Sequence, residues 1–316
     1  MLKIMITSLA MIAFAMNSYA ETIESPKDTG AVYLSADAGK NWQRADVGLP
    51  AGVRINALAN NGSTVIAGTD KDGVFISTNQ LKSWKSANMG LPADIRINAV
   101  TIFKNILFIG TYEHGVFASV DYGKFWFSSS KGLENISIQS FQAAGDNLLL
   151  GTNIGVYLSS DNGKSWVQTS ENHYINGFTA MGDEVYAANN KGIISSEDGG
   201  KNWKNIFSKS SVHNIATDGI CLYAMTSDQG VLKLNEEGKG CLKWDTGLGN
   251  GNYTYQIQKV GERLLAGQVN GIYKSDTQGL SWELITARLP QIAFPKLLVT
   301  HFGVIVSTSV RSMEGC

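Results

Sequence analysis

Two arginines recur in one setting along the chain. Arg54 closes Leu49-Pro50-Ala51-Gly52-Val53-Arg54, and Arg96 closes Leu91-Pro92-Ala93-Asp94-Ile95-Arg96; each is followed by Ile-Asn, giving Asn56 and Asn98. A guanidinium is a planar fork of donors that matches carboxylate, sulfate or phosphate. Two of them brought side by side would bind an anion. The plainer reading is that they pair with loop acids, or recur because the segment was duplicated. Glu113-His114 is an acid/base pair by residue type, although neighbours in a turn are ordinarily just solvated. Asp70-Lys71-Asp72-Gly73 opens like a calcium loop but lacks the remaining ligands. The four histidines have no metal-ligand spacing and the cysteines form no C-x-x-C pair, so neither metal nor cofactor is expected.

What must position these residues is a repeat. The chain has seven tryptophans, Trp42, Trp84, Trp126, Trp166, Trp203, Trp244 and Trp282, spaced 37 to 42 residues apart. A period near 40 with one large aromatic per copy signals a repeat architecture. Four copies read S-x-D-x-G-x-x-W, with Asp37, Asp121, Asp161 and Asp198 at the acidic position. The carboxylate can accept from nearby backbone N–H groups, as in an Asx-turn. The glycine two residues on can take positive φ. The tryptophan then opens a strand and packs against a neighbouring sheet. These aspartates are read as holding hairpins together, not as catalytic or metal-binding groups. Three copies are degraded. Asn79 and Leu81 replace Asp and Gly before Trp84, Asp276 stands one place early before Trp282, and little but the tryptophan survives in the copy that ends at Trp244.

The S-x-D-x-G-x-x-W segments resemble the Asp-box, or BNR repeat, of sialidase-like β-propellers. The pattern runs over essentially the whole chain after the leader. The resemblance implies a propeller and leaves activity open, because sialidases, some glucanases, sortilin-type receptor domains and Ycf48-like photosystem assembly factors share it. Against the sialidase pattern, Val53-Arg54-Ile55-Asn56 has Val for the aromatic and Asn for the proline, and Arg96 is a second arginine without a third. In form the chain is most similar to the non-enzymatic Ycf48-like and sortilin-like single propellers.

Each repeat carries short apolar strands bounded by turn residues, such as Ile55–Ala59, Val65–Thr69 and Gly73–Ile76. Four such strands make a propeller blade. The N-terminal end offers a third and fourth strand, from Gly30 and from Gln43; the C-terminal end offers a first and second, over Lys296–His301 and Val304–Thr308. The expected fold is all-β: a seven-bladed β-propeller with four antiparallel strands per blade. Strands from both chain ends close the last blade, which removes open sheet edges.

Residues 1–20 read as a secretory signal peptide. Lys3 heads an apolar run to Met16, and Ser18-Tyr19-Ala20 is a small-x-small cleavage site. The expected product is one propeller over 21–316, exported to a periplasm or secreted, monomeric, with no transmembrane segment. A formal net charge of −1 gives no electrostatic footprint for nucleic acid. Cys221 and Cys241 open strands two and four of one blade and are a candidate disulfide in an oxidising compartment; two separate thiols are an equal reading, and Cys316 is odd.

Aligning the first strands gives two rings. One is Arg54, Arg96, Ser137, Tyr174, Ser211, Tyr253 and Pro295; the other, two residues on, is Asn56, Asn98, Gln139, Asn176, His213, Tyr255 and Leu297. Binding residues favour loops on a rigid scaffold, so these rings, with Glu113 and His114 in a loop on the same side, form the candidate site. The function read from them is a non-catalytic binding or scaffold module for a protein or glycan partner. The alternative is a divergent sialidase-like glycan-processing enzyme, a hydrolase or lyase, working at an Arg/Tyr-lined channel mouth.

Overall fold

The computed structural model describes residues 31–133, 137–171, 173–240, 242–249, 253–285 and 293–309. The leader expected over 1–20, Cys241 and Cys316 lie outside the described residues. The chain forms seven four-stranded antiparallel sheets arranged as a seven-bladed β-propeller. Blade one runs inner to outer as Ile55–Asn61, Thr64–Thr69, Val74–Ser77 and Lys85–Ser86. Blades two to six repeat this over 97–128, 138–171, 175–207, 212–243 and 254–284. Blade seven is shared. Ala293–Thr300 and Gly303–Ser309 supply its two inner strands, Ala31–Ser35 and Gln43–Arg44 its two outer ones. Ala31–Ser35 pairs with Gly303–Ser309 from Ala31↔Thr308 to Ser35↔Val304.

The burial pattern follows from blades packing face to face. Second strands such as Val65–Thr69 and Leu107–Thr111 are buried at every position, because each of their faces meets an adjacent blade. They therefore read as continuous apolar runs and not as alternation. Fourth strands are two residues long and exposed in five of the seven blades. Short, polar outer edges discourage pairing with another chain.

The S-x-D-x-G turns join third strands to fourth strands. In blade two, Ser119 Oγ donates to Asp121 Oδ1 at 2.8 Å, Gly123 N donates to Ser119 Oγ at 2.8 Å, and Phe125 N donates to Asp121 Oδ1 at 3.0 Å. Asp37, Asp161 and Asp198 accept in the same way. The degraded copies keep most of this geometry. Asn79 accepts from Ser77 and Ser83 in the place of an aspartate. In blade six Thr277, not Asp276, takes the acceptor position for Ser281 N at 2.9 Å, and Asp276 instead pairs with Arg263 and Lys274.

Four of the tryptophans clamp their blade to the one before it. Trp126 N donates to Met89 O at 2.9 Å and its indole to Ala87 O at 2.7 Å. Trp84, Trp166 and Trp282 make the same two bonds to the connection preceding their blades. Gly48, Gly90, Gly132 and Gly247 sit in those connections at φ near +90°, where a Cβ would meet the next tryptophan's carbonyl. Trp203 and Trp244 depart from the scheme. The Trp203 indole bonds Thr169 and Gly200, and the Trp244 indole reaches forward to Gln278 O.

Candidate binding face

The face opposite the S-x-D-x-G turns carries the loops from second to third strands and the connections between blades. Each first strand begins there with a bulge. In blade one Ile55 pairs with Thr69 and Ala57 with Gly68, leaving Asn56 outside the ladder. The same shift frees Asn98, Gln139, Asn176, His213 and Tyr255. Bulges re-aim side chains at the rims of closed sheets. The second ring read from the sequence is thus the set of bulge residues in six blades.

Several of these side chains tie neighbouring blades together. Asn56 Nδ2 donates to Ile97 O at 3.1 Å, Asn98 Nδ2 to Ile138 O at 3.0 Å and Asn176 Nδ2 to Val212 O at 2.8 Å. His213 Nε2 contacts Thr254 O at 2.7 Å. The amides therefore have a structural task, joining each bulge to the next blade. The first-ring residues also hold the loops: Arg54 O accepts from Asp70 N at 3.0 Å and Arg96 O from Tyr112 N at 3.1 Å.

Blade seven is where the alignment fails. The pairing passes from Ala293↔Ser309 to Lys296↔Ser307, a one-residue shift like that of the other blades, and it puts Pro295 in the place of Asn56. Lys296 pairs with Ser307 and takes the register of Ala57. Leu297 is not a ring residue. It is 3 % exposed, packed in the core. The proline was the available signal, since a residue without an N–H inside a strand points to a bulge.

The result is a cavity of about 270 Å³ at the channel mouth, lined by Arg54, Asn56, Arg96, Asn98, Lys296 and the amides of Gln139 and Asn176. Arg96 Nε bonds Asp70 Oδ1 at 3.0 Å, and its guanidinium lies 5.0 Å from the Tyr112 ring centroid. Burial and the neighbouring charge of Arg54 push the Lys296 ammonium below its ordinary pKa. Among the described residues no carboxylate reaches Lys296. Asp70, beside this mouth, is already engaged by Arg96 and by Asn56 at 3.3 Å. Three cationic side chains, Arg54, Arg96 and Lys296, converge on this cavity, and a convergence of cations suits an anion.

Aromatic side chains surround the mouth. Tyr112, Tyr174 and Tyr253 are 47 %, 40 % and 38 % exposed. Burial, then the nearby Tyr112, raises the Tyr174 hydroxyl pKa. Tyr253 stacks on His213 with centroids 3.7 Å apart and tilts against Tyr255 at 4.8 Å. Glu113 and His114 are exposed in the blade-two loop on this face, and among the described residues their side chains are not joined as an acid/base pair. Among the described residues, no three His, Cys, Asp or Glu side chains converge as metal ligands would. Cys221 is half-buried, and burial raises its thiol pKa; its candidate partner Cys241 lies outside the described residues. No described helix is long and apolar enough to cross a membrane.

No protein-family model and no curated protein matches the chain. Solved structures of the same fold do. A structure described as YCF48 bound to D1 peptide is 16 % identical, covers 85 % of this chain and 96 % of its own, with a TM-score of 0.66. An ancestral GH74 enzyme is 19 % identical at a TM-score of 0.67, matching 88 % of this chain but 45 % of its own. The extracellular domain of a one-component system from B. thetaiotaomicron is 16 % identical at 0.65, over 82 % of this chain and 39 % of its own. This chain therefore spans under half the length of the latter two. Likeness at these identities establishes the fold alone.

Proposed function

We propose that this chain is an exported Asp-box propeller that acts as a non-catalytic binding module, taking an acidic group of a protein partner at its channel mouth. The observation that carries this reading is Lys296, lodged beside Arg54 and Arg96 in one cavity with no carboxylate reaching it among the described residues. A cation held that way costs stability, and a partner's carboxylate would relieve it. The exposed tyrosines around the mouth supply rigid amphipathic contact area. The peptide-bound YCF48 structure supports the idea that this architecture can hold a polypeptide. The GH74 likeness keeps a second reading, glycan processing, as the competitor.

Panning a displayed random-peptide library on the purified chain separates the two. Enriched peptides should carry an acidic residue or depend on their free C-terminus. Their affinity should fall about tenfold or more in Lys296→Ala, the usual scale for removing one partner of a desolvated charge pair, and should weaken with salt. The melting temperature of Lys296→Ala should hold or rise, because the uncompensated cation is gone. Release of reducing ends from a polysaccharide, abolished by Arg54→Ala, would replace this reading with the enzymatic one.

A further inference from the structure

The S-x-D-x-G turn of blade two differs from the other turns in what it shows to solvent. Val120, Tyr122, Phe125 and Phe127, all apolar or aromatic, are between 44 % and 64 % exposed. The residue before the tryptophan is Asn41, Ser83, Ser165, Asn202 or Ser281 in five other turns, and Phe125 here. Met89 extends the patch. It is 69 % exposed, its carbonyl accepts from Trp126 N, and a Cβ on its neighbour Gly90 would meet the Phe125 ring. Both rings of the turn come at a local cost. Asn41, Ser165 and Asn202 each donate through the side chain to their turn aspartate, at 2.7, 2.6 and 2.7 Å, and Phe125 has no such donor. Tyr122 sits at φ +60°, in the place that Asn162 and Gly199 take in blades three and four. Asparagine and glycine accept that left-handed backbone readily and a bulky ring does not. A turn that gives up a bond and takes on strain to hold two rings in solvent breaks its own local rules, which marks a functional surface.

Lysines stand beside the rings. Lys124 is in the turn itself. Lys85 pairs with Ile76 across the outer strands of blade one, and directly paired residues share a face of the sheet. A Cβ on Gly123 of the blade-two turn would meet the Ile76 side chain, so Lys85 is on the face that receives this turn. Lys82 lies in the blade-one turn, where Asn79 replaces the aspartate and brings no charge. All three lysines are exposed. Among the described residues none of them makes an ion pair. The one turn aspartate of these two blades, Asp121, already accepts from Ser119 and from Phe125 N.

We propose that this patch docks the protein on the surface of an anionic lipid bilayer, with Tyr122 and Phe125 entering the interface and the lysines on the headgroups. Five exposed apolar side chains are few against the roughly 20–30 residues a side of a stable protein interface, so a second copy of the chain is a poor fit. A bilayer asks for less, because each inserted ring and each basic side chain adds its own share of the attraction. The composition suits that boundary. Aromatic rings lie between the apolar and wet layers, and long lysine side chains reach up to phosphate groups. The turn is on the face opposite the channel mouth, so docking leaves the mouth open. The inference does not depend on what that mouth binds.

The test is co-sedimentation of residues 21–316, which keep every described residue and omit the apolar leader, with sucrose-loaded vesicles of phosphatidylcholine and phosphatidylglycerol in equal parts. The protein should pellet with these vesicles, less with phosphatidylcholine alone, and less again as salt is raised. Tyr122→Asn/Phe125→Ser gives blade two the residues of blade three, so its melting temperature should hold or rise. Its partition coefficient should fall about tenfold or more, the scale for withdrawing large apolar side chains from an apolar phase. Lys85→Gln/Lys124→Gln should lower binding to the anionic vesicles about tenfold or more, each lysine near such a surface being worth about fivefold. Lys296→Ala should change nothing. Absence of vesicle binding, equal binding by the Tyr122→Asn/Phe125→Ser variant, or indifference to phosphatidylglycerol would each overturn the inference. A dimer in sedimentation equilibrium that the same variant abolishes would also overturn it, because a second copy would then cover the patch.

Discussion

At the scale of single residues, this molecule keeps its charges in two kinds of place. The turn aspartates are exposed, yet they accept several backbone and side-chain bonds at once. Bonds from Asn41, first its backbone and then its side chain, hold Asp37 down to about 2, and Asn202 does the same for Asp198. The ordinary carboxylate value is 3.8. A depressed carboxylate contributes stability that is present above 3.8 and lost as pH falls toward 2. His213 differs. Its pKa falls from 6.5 to about 4 because burial disfavours the imidazolium. Between those values the unfolded chain binds the proton and the folded chain does not, so stability declines as pH drops from 6.5 to 4. Melting temperature against pH should therefore fall in two windows. His213→Gln, which copies Gln139 at the matching position, should flatten the first. Asp198→Asn, which copies Asn79, should flatten part of the second and keep the turn. If neither variant changes the profile, the acid sensitivity belongs to other groups.

At the scale of elements, the joint between blades decides stability more than the turns do. Gly90 shows why. It sits at φ +91°, and a Cβ there would run into the Trp126 carbonyl, just where Trp126 N and its indole bond the preceding connection. Gly90→Ala should destabilise by about 1–3 kcal/mol, combining left-handed strain with a lost close approach. Gly62→Ala, at φ +56° with open space around it, should cost about 1 kcal/mol from the backbone alone. Equal costs in urea denaturation would show that the joint is not tight. The strands and the blade count were legible from the tryptophan period, because one large aromatic per blade is what the packing requires. The joints were not, because a Gly-Leu pair in a connection looks like any loop until the next blade's tryptophan is placed over it. The arginines and bulge amides of the candidate site were legible as repeats. Lys296 was not, because the first strand of blade seven lacks the polar residue that marks the bulge elsewhere; Pro295 stands there, so aligning by residue type set Leu297 in the ring, two places away from the true register.

For the molecule as a whole, the decisive contact is the one between the chain ends. Tyr33 pairs with Val306 and Leu34 with Ile305, so the ring closes by joining residues nearly the full chain length apart. Val32, Ile305 and Phe302 pack with Ile55 and Trp84 of blade one, while Leu297 and Val304 pack with Leu265 and Ile272 of blade six. Blade seven is thus the keystone of both neighbours, and the channel mouth depends on it because Lys296 is carried there. Removing residues 293–316 would leave the inner edge of Ala31–Ser35 unpaired and uncover the apolar faces of blades one and six, which invites association with other chains. The truncated chain should self-associate on size exclusion and lose its single sharp thermal transition. Adding a synthetic peptide of residues 293–309 should restore a monomer and the transition, and with them the binding of acidic peptides. The same peptide carrying Ala in place of Lys296 should restore the fold without the binding. That pair of results would separate the two roles of one strand, closing the ring and arming the site. A truncated chain that melts as sharply as the whole would mean that six blades already form the stable unit and that closure serves the site alone.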